Sequence, residues 1–118
     1  MSYDIRLVDA ITKAPLELDA PHQMKGGTYC CGGESHARLN ITYNYCSHFH
    51  AVLGELGIRV IYGMTGGFSI PVLQAAAAKL GDEVDEDYWQ PTEGNAKRAL
   101  LQLVALAQLR PDGVWEGD

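Results

Sequence analysis

Cys46, His48 and His50 fall within five consecutive residues, and thiolate and imidazole are the ligands zinc prefers. His36, Cys30 and Cys31 lie a short way upstream. On a helix Cys46 and His50, four residues apart, share a face, and His48 points elsewhere. A metal centre is usually announced by Cys-x-x-Cys or His-x-x-x-His pairs, which this stretch lacks. No metal and no cofactor are therefore expected. The plainer reading is a small buried thiol beside polar histidines at a helix start. A thiol enzyme, with His48 or His50 activating Cys46, is an alternative, although neighbours in sequence are seldom aligned as nucleophile and base.

Gly66 and Gly67 sit in a glycine-rich segment, 62–69, that runs Tyr-Gly-Met-Thr-Gly-Gly-Phe-Ser. If 58–62 is a strand and Ser69 caps a following helix, the segment is strand, loop, helix. Backbone N–H groups and the positive end of a helix would then face an anion. The segment matches neither a P-loop nor Gly-x-Gly-x-x-Gly, so it is no nucleotide signature. A tight connection leading into a helix is the default reading, since helix N-termini cap far more often than they bind anions.

Asn40, Thr42 and Asn44 alternate with Leu39, Ile41, Tyr43 and Tyr45. In a strand the first set shares one face and the second set the other. Solvent contact is the default for such a polar face. Asparagine is nevertheless poor in strands, and its repetition favours a surface that binds something. Tyr88, Trp89 and Trp115 lie outside the strongest elements and are read as closing the core under a loop.

The elements that must hold these groups follow from period. Alternation at 3–8 and again at 16–18 predicts an N-terminal hairpin with a longish loop. Glycine pairs at 26–27 and 32–33 bracket a short strand near 28–31, and 38–45 is the strongest strand. Ser47 would cap a helix over 48–56, closed by Gly57. The apolar run 58–62 fits a buried strand or a continuation of that helix. Pro71 suits the first turn of the next helix. Thr92 caps the clearest helix, 93–109, whose face of Ala96, Ala99, Leu100, Leu103, Val104 and Ala107 is widened by Leu101, Ala105 and Leu109. So broad a face implies contact on two sides, with a second copy of the chain as one candidate. Val114 and Trp115 would fold back as an apolar latch. Period-two patterning before residue 47 and helical patterning after it predict an α+β fold. It comprises a small antiparallel sheet packed by two or three helices in a single domain, 1–118.

The chain has 118 residues, 47% of them hydrophobic, and a formal charge of −6. That length can bury a core without disulfide or metal support. The acidic balance and the lack of a basic cluster disfavour nucleic acid as a partner. Five carboxylates within 82–87 read as a solvated loop. No apolar run approaches the ~18 residues of a membrane helix, and the N-terminal alternation is structural rather than secretory. Three cysteines cannot all pair, which points to free thiols in the cytoplasm.

The Asn-Ile-Thr-Tyr-Asn-Tyr block at 40–45 and the Arg-Pro-Asp-Gly-Val-Trp-Glu-Gly-Asp run at 110–118 resemble segments of small proteins from bacteria and their phages. The resemblance implies an accessory factor that acts by binding and carries no assigned residues across. The leading expectation is a non-enzymatic binding protein. Its ligand would be a small polar or phosphate-bearing molecule, with a protein partner next. The site would join Asn40, Thr42 and Asn44 to His48 or His50 and to Gly66, Gly67 and Ser69. The alternatives are the metal or thiol enzyme and a structural subunit that self-associates through 93–109.

Overall fold

In the computed structural model, which describes residues 2–27 and 33–118, the N-terminal alternation forms strand β1 (Ser2–Val8). Tyr3, Ile5 and Leu7 are buried on one face. β1 is the middle strand of an antiparallel sheet, with β4 (Arg38–Thr42) on one side and β5 (Val114–Gly117) on the other. Tyr3 lies opposite Ile41, Ile5 opposite Leu39, and Leu7 opposite Trp115, so cross-strand neighbours share one apolar face. The other face carries charges that also pair across strands. Arg38 meets Asp4 at 2.7 Å and Arg6 meets Glu116 at 2.8 Å.

The hairpin closes only over its first residues. Asp9 Oδ1 accepts from the N–H groups of Ile11 and Thr12, and Leu16 donates back to the Leu7 carbonyl. Ala37 then bonds with both Leu7 and Leu16. It occupies the edge that a longer hairpin would need. Strand β2 (Glu17–His22) therefore leaves the sheet and pairs with β3 (Glu34–His36) in a second, two-stranded sheet. The strand expected near 28–31 lies outside the described residues, as do Cys30 and Cys31.

Residues 38–45 are not one strand. β4 stops at Thr42, whose hydroxyl accepts from the Asn44 N–H at 3.1 Å and caps a 3₁₀ turn, Tyr43–Tyr45. Helix α1 (Cys46–Leu53) follows without a break, so Ser47 is not its cap, and Gly54 ends it at φ 91°. The run expected as strand or helix extension is a 3₁₀ helix, Gly57–Ile61. Ile58 and Ile61, three residues apart, are both fully buried, as that geometry allows.

Helix α2 (Gly66–Ala78) starts three residues before Ser69. Thr65 is its cap, accepting from the Phe68 N–H at 3.1 Å, and Pro71 consequently lies inside the helix. Helix α3 (Glu93–Leu109) starts as expected, with Thr92 accepting from the Asn95 N–H. α2 and α3 pack together against the apolar side of the sheet. The class is α+β. Within α3 the predicted core face is buried, but Leu101 and Leu109 are 44% and 58% exposed. No helix among the described residues is long and apolar enough to cross a membrane.

Candidate functional site

The glycine segment does not offer an anion its backbone. Gly66 N–H donates to the Gly113 carbonyl at 2.7 Å, and Gly67 N–H to the Pro111 carbonyl at 3.1 Å. Phe68 N–H is held by the Thr65 hydroxyl and Ser69 N–H by the Thr65 carbonyl. The first-turn donors that helix ends usually leave open are thus occupied here. Ser69 is fully buried. Its hydroxyl donates to the Gly66 carbonyl and accepts the Trp115 indole N–H at 2.7 Å, which holds β5 against α2. Moreover, residues 63–65 run alongside β5, whereas Asn40 lies on β4, across the width of the sheet. Gly66, Gly67 and Ser69 therefore do not share a pocket with the asparagines.

The two histidines bond to different segments. His48 Nε2 bonds with the Pro91 carbonyl at 2.7 Å, and His50 Nδ1 with the Gly54 carbonyl at 3.2 Å. Cys46 is half-buried, near Tyr3, which it helps hold above the usual phenol range, after burial itself. No group of three His, Cys, Asp or Glu side chains among the described residues is placed to hold a metal ion.

The polar strand residues have divided roles. Thr42 is buried and serves as a cap. Asn44 donates its amide to the Trp89 carbonyl at 2.9 Å. Asn40 donates its amide to the Ser2 hydroxyl at 2.9 Å and forms part of the lining of a cleft of about 390 Å³.

That cleft lies between β4, the loop around Tyr88 and Trp89, and residues 22–27, which leave β2 and run back along β4. The returning segment is held at several points. His22 Nδ1 accepts the Met24 N–H, so Nε2 carries the proton donated to the Arg38 carbonyl at 2.8 Å. The Gln102 amide, oriented to suit both partners, pairs with the N–H and carbonyl of Lys25 at 2.9 Å each. Gly27 N–H donates to the Asn40 carbonyl at 2.9 Å. Gly27 has no room for a side chain, because a Cβ there would lie 2.6 Å from Asn40 Oδ1 and 3.3 Å from the Trp89 ring.

The opposite wall is built from the core outward. Tyr88 is buried, and its hydroxyl donates to the Asn40 carbonyl and accepts the Thr42 N–H at 2.9 Å. Burial pushes its phenol up to about 12. The Tyr45 hydroxyl donates to the Tyr88 carbonyl. Asn95, fully buried in α3, donates to the carbonyls of Asp87 and Gln90 and accepts the Asp85 N–H. These bonds fix the 85–90 loop and, with it, Trp89.

No protein-family model matches the chain, and no curated protein or solved structure shows significant similarity to it.

The cleft brings charged, amide and aromatic groups together. Its lining includes Lys25, Asn40 and Trp89, with Arg38 and Glu34. Arg38 is answered by Asp4 at 2.7 Å. Lys25 Nζ touches only the Glu86 carbonyl, at 3.4 Å, among the described residues. Neither a thiol nor a pair of carboxylates is among the described lining residues. Of the eight expected site residues, Asn40 lines this cleft and Asn44 anchors its wall. His22 and Lys25, which also line the cleft, were not singled out in the sequence, and Trp89 was read as closing the core under a loop. The available signals were the Gly26–Gly27 pair beside a lysine, and a tryptophan just after an acidic run.

Proposed function

We propose that the protein is a non-enzymatic binding protein whose cleft between residues 22–27, β4 and Trp89 takes a small polar ligand bearing negative charge. The observation that carries this reading is Lys25. In a chain with net charge −6, this residue lines the cleft, and among the described residues its ammonium makes a single long hydrogen bond, to the Glu86 carbonyl. Concave sites with a few convergent polar groups are where small ligands bind. A cation that meets only a neutral acceptor is well suited to an anionic group. A bacterial or phage accessory role and a cytoplasmic setting go with this reading through the resemblance and the odd cysteine count.

The test is a thermal-shift screen of sugar phosphates, nucleotides and small carboxylates, followed by calorimetry on Lys25→Gln. A ligand at a hundred times its Kd should stabilise the fold by about 2.7 kcal/mol. No stabilising ligand, or equal affinity in Lys25→Gln, would refute the proposal.

A second reading has one observation in its favour. Leu101 and Leu109 remain exposed on α3, with Val84 61% exposed and beside Leu101 in a shallow groove. Self-association through this face would cover them. Sedimentation of wild type and Leu101→Glu decides it: a monomer at every concentration tested removes the reading.

A further inference from the structure

Trp89 is 49% exposed, although its surroundings hold it in one place. Its backbone N–H donates to Asp87 Oδ1 at 3.0 Å, and its backbone carbonyl accepts the Asn44 amide at 2.9 Å. The Tyr88 and Trp89 rings form a T-shaped pair, with centroids 5.0 Å apart and planes at 83°. The Gly27 backbone closes against the ring's far edge, where a Cβ would come within 3.3 Å. The residue is thus held by its backbone and by two ring contacts and left about half exposed, beside the cleft it lines.

A tryptophan that served only to cover the core would be expected to bury most of its ring. A rigid aromatic face also loses little conformational freedom when a second ring is laid on it. Asn40 lies on the floor of the same cleft, and the Lys25 ammonium approaches the loop that carries Trp89, through the Glu86 carbonyl. A ring on the indole would therefore have an amide and a cation within the same lining.

We propose that the ligand of this cleft carries a flat heteroaromatic ring that stacks on Trp89, with its charged group turned toward Lys25. The inference rests on the binding reading above and specifies the class of ligand. Stacking between a base-like ring and an aromatic side chain tolerates many ring types, because each has a π-face. The four common nucleoside monophosphates are therefore suitable probes, and ribose 5-phosphate is the matched probe without a ring.

The chain's two tryptophans make the measurement selective. Trp115 is 1% exposed, so an effect on the exposed fluorophore reports Trp89. Each nucleotide should quench the emission of the exposed tryptophan and bind about ten-fold or more tightly than ribose 5-phosphate. In Trp89→Leu, which keeps an apolar side chain against Tyr88, calorimetry should show nucleotides and ribose 5-phosphate at parity. Native emission from Trp115 would confirm that this variant is folded. Lys25→Gln should weaken all five probes together.

Parity in the wild type, or a ring preference that survives Trp89→Leu, overturns the inference. If all five bind through Lys25 without regard to Trp89, the stacking proposal falls and the binding reading stands. If none binds, the stacking proposal also falls, and the wider ligand screen separately judges whether the cleft binds anything.

Discussion

Tyr88 ties the core to the cleft through one hydroxyl. Removing it in Tyr88→Phe leaves the Thr42 N–H buried without its acceptor, which should cost about 1–3 kcal/mol in denaturant melts. A loss near zero would mean that water replaces the phenol. The same group makes a pH prediction. Burial raises the phenols of Tyr88 and Tyr62 to about 12, from an unfolded value of about 10. Folding thus favours the neutral forms, and their contribution is complete below about pH 10 and is lost as pH rises toward about 12. Wild-type stability should fall between about pH 10 and about pH 12, and the fall should be shallower in Tyr62→Phe. Identical slopes would dissociate Tyr62 from the effect. Ser69 makes the complementary case: Ser69→Ala removes the acceptor of the buried Trp115 indole N–H and should also cost about 1–3 kcal/mol. At this scale little could be read from sequence. Tyr88 and Ser69 were visible as types, but their partners lie 46 positions away in each case.

Among elements, the start of α2 separates a capping role from a binding one. Gly67 has room, with the nearest atoms to an added Cβ at 3.6 Å, and its φ is not positive. Gly67→Ala should therefore stabilise by roughly 0.5–1 kcal/mol, as alanine does within helices. Gly66→Ala should destabilise, because its Cβ would lie 2.8 Å from the Arg110 carbonyl. Chemical denaturation of the pair checks this, and the same sign for both would mean that α2 and the 110–113 turn can part. The period of 3.6 located α2 and α3, and Thr92 marked the start of α3 correctly. Boundaries elsewhere moved because a threonine, not the expected serine, supplied the cap. Thr65 displaced Ser69, and Thr42 ended β4 three residues early. Threonine serves equally in strands and caps, so alternation alone could not separate those roles.

For the molecule as a whole, the α+β class followed from the order of periods, and the core face of α3 was read correctly. Leu103 is fully buried at the centre of that face, so Leu103→Ala should cost about 2–5 kcal/mol. A loss below about 1 kcal/mol would place α3 differently against the sheet. The second sheet and the cleft were not readable. Both depend on Ala37 claiming the edge beside Leu7 and on residues 22–27 turning back along β4, pairings without a local signature.

The position of β1 has a kinetic consequence. One of its edges is filled by β4, but the other waits for β5; Arg6 and Glu116, which face each other, are 110 residues apart. A chain emerging from the ribosome must hold that second edge open through the synthesis of α1, α2 and α3. Contacts of such separation slow folding, because loop closure precedes any gain from pairing. An open, apolar strand edge is meanwhile a template for pairing with another chain. Newly made copies should therefore be most prone to misassociate before residues 114–117 appear, and a holdase acting on nascent chains should raise the soluble yield. Yield unaffected by the holdase would show that β1 is protected by other contacts until β5 arrives.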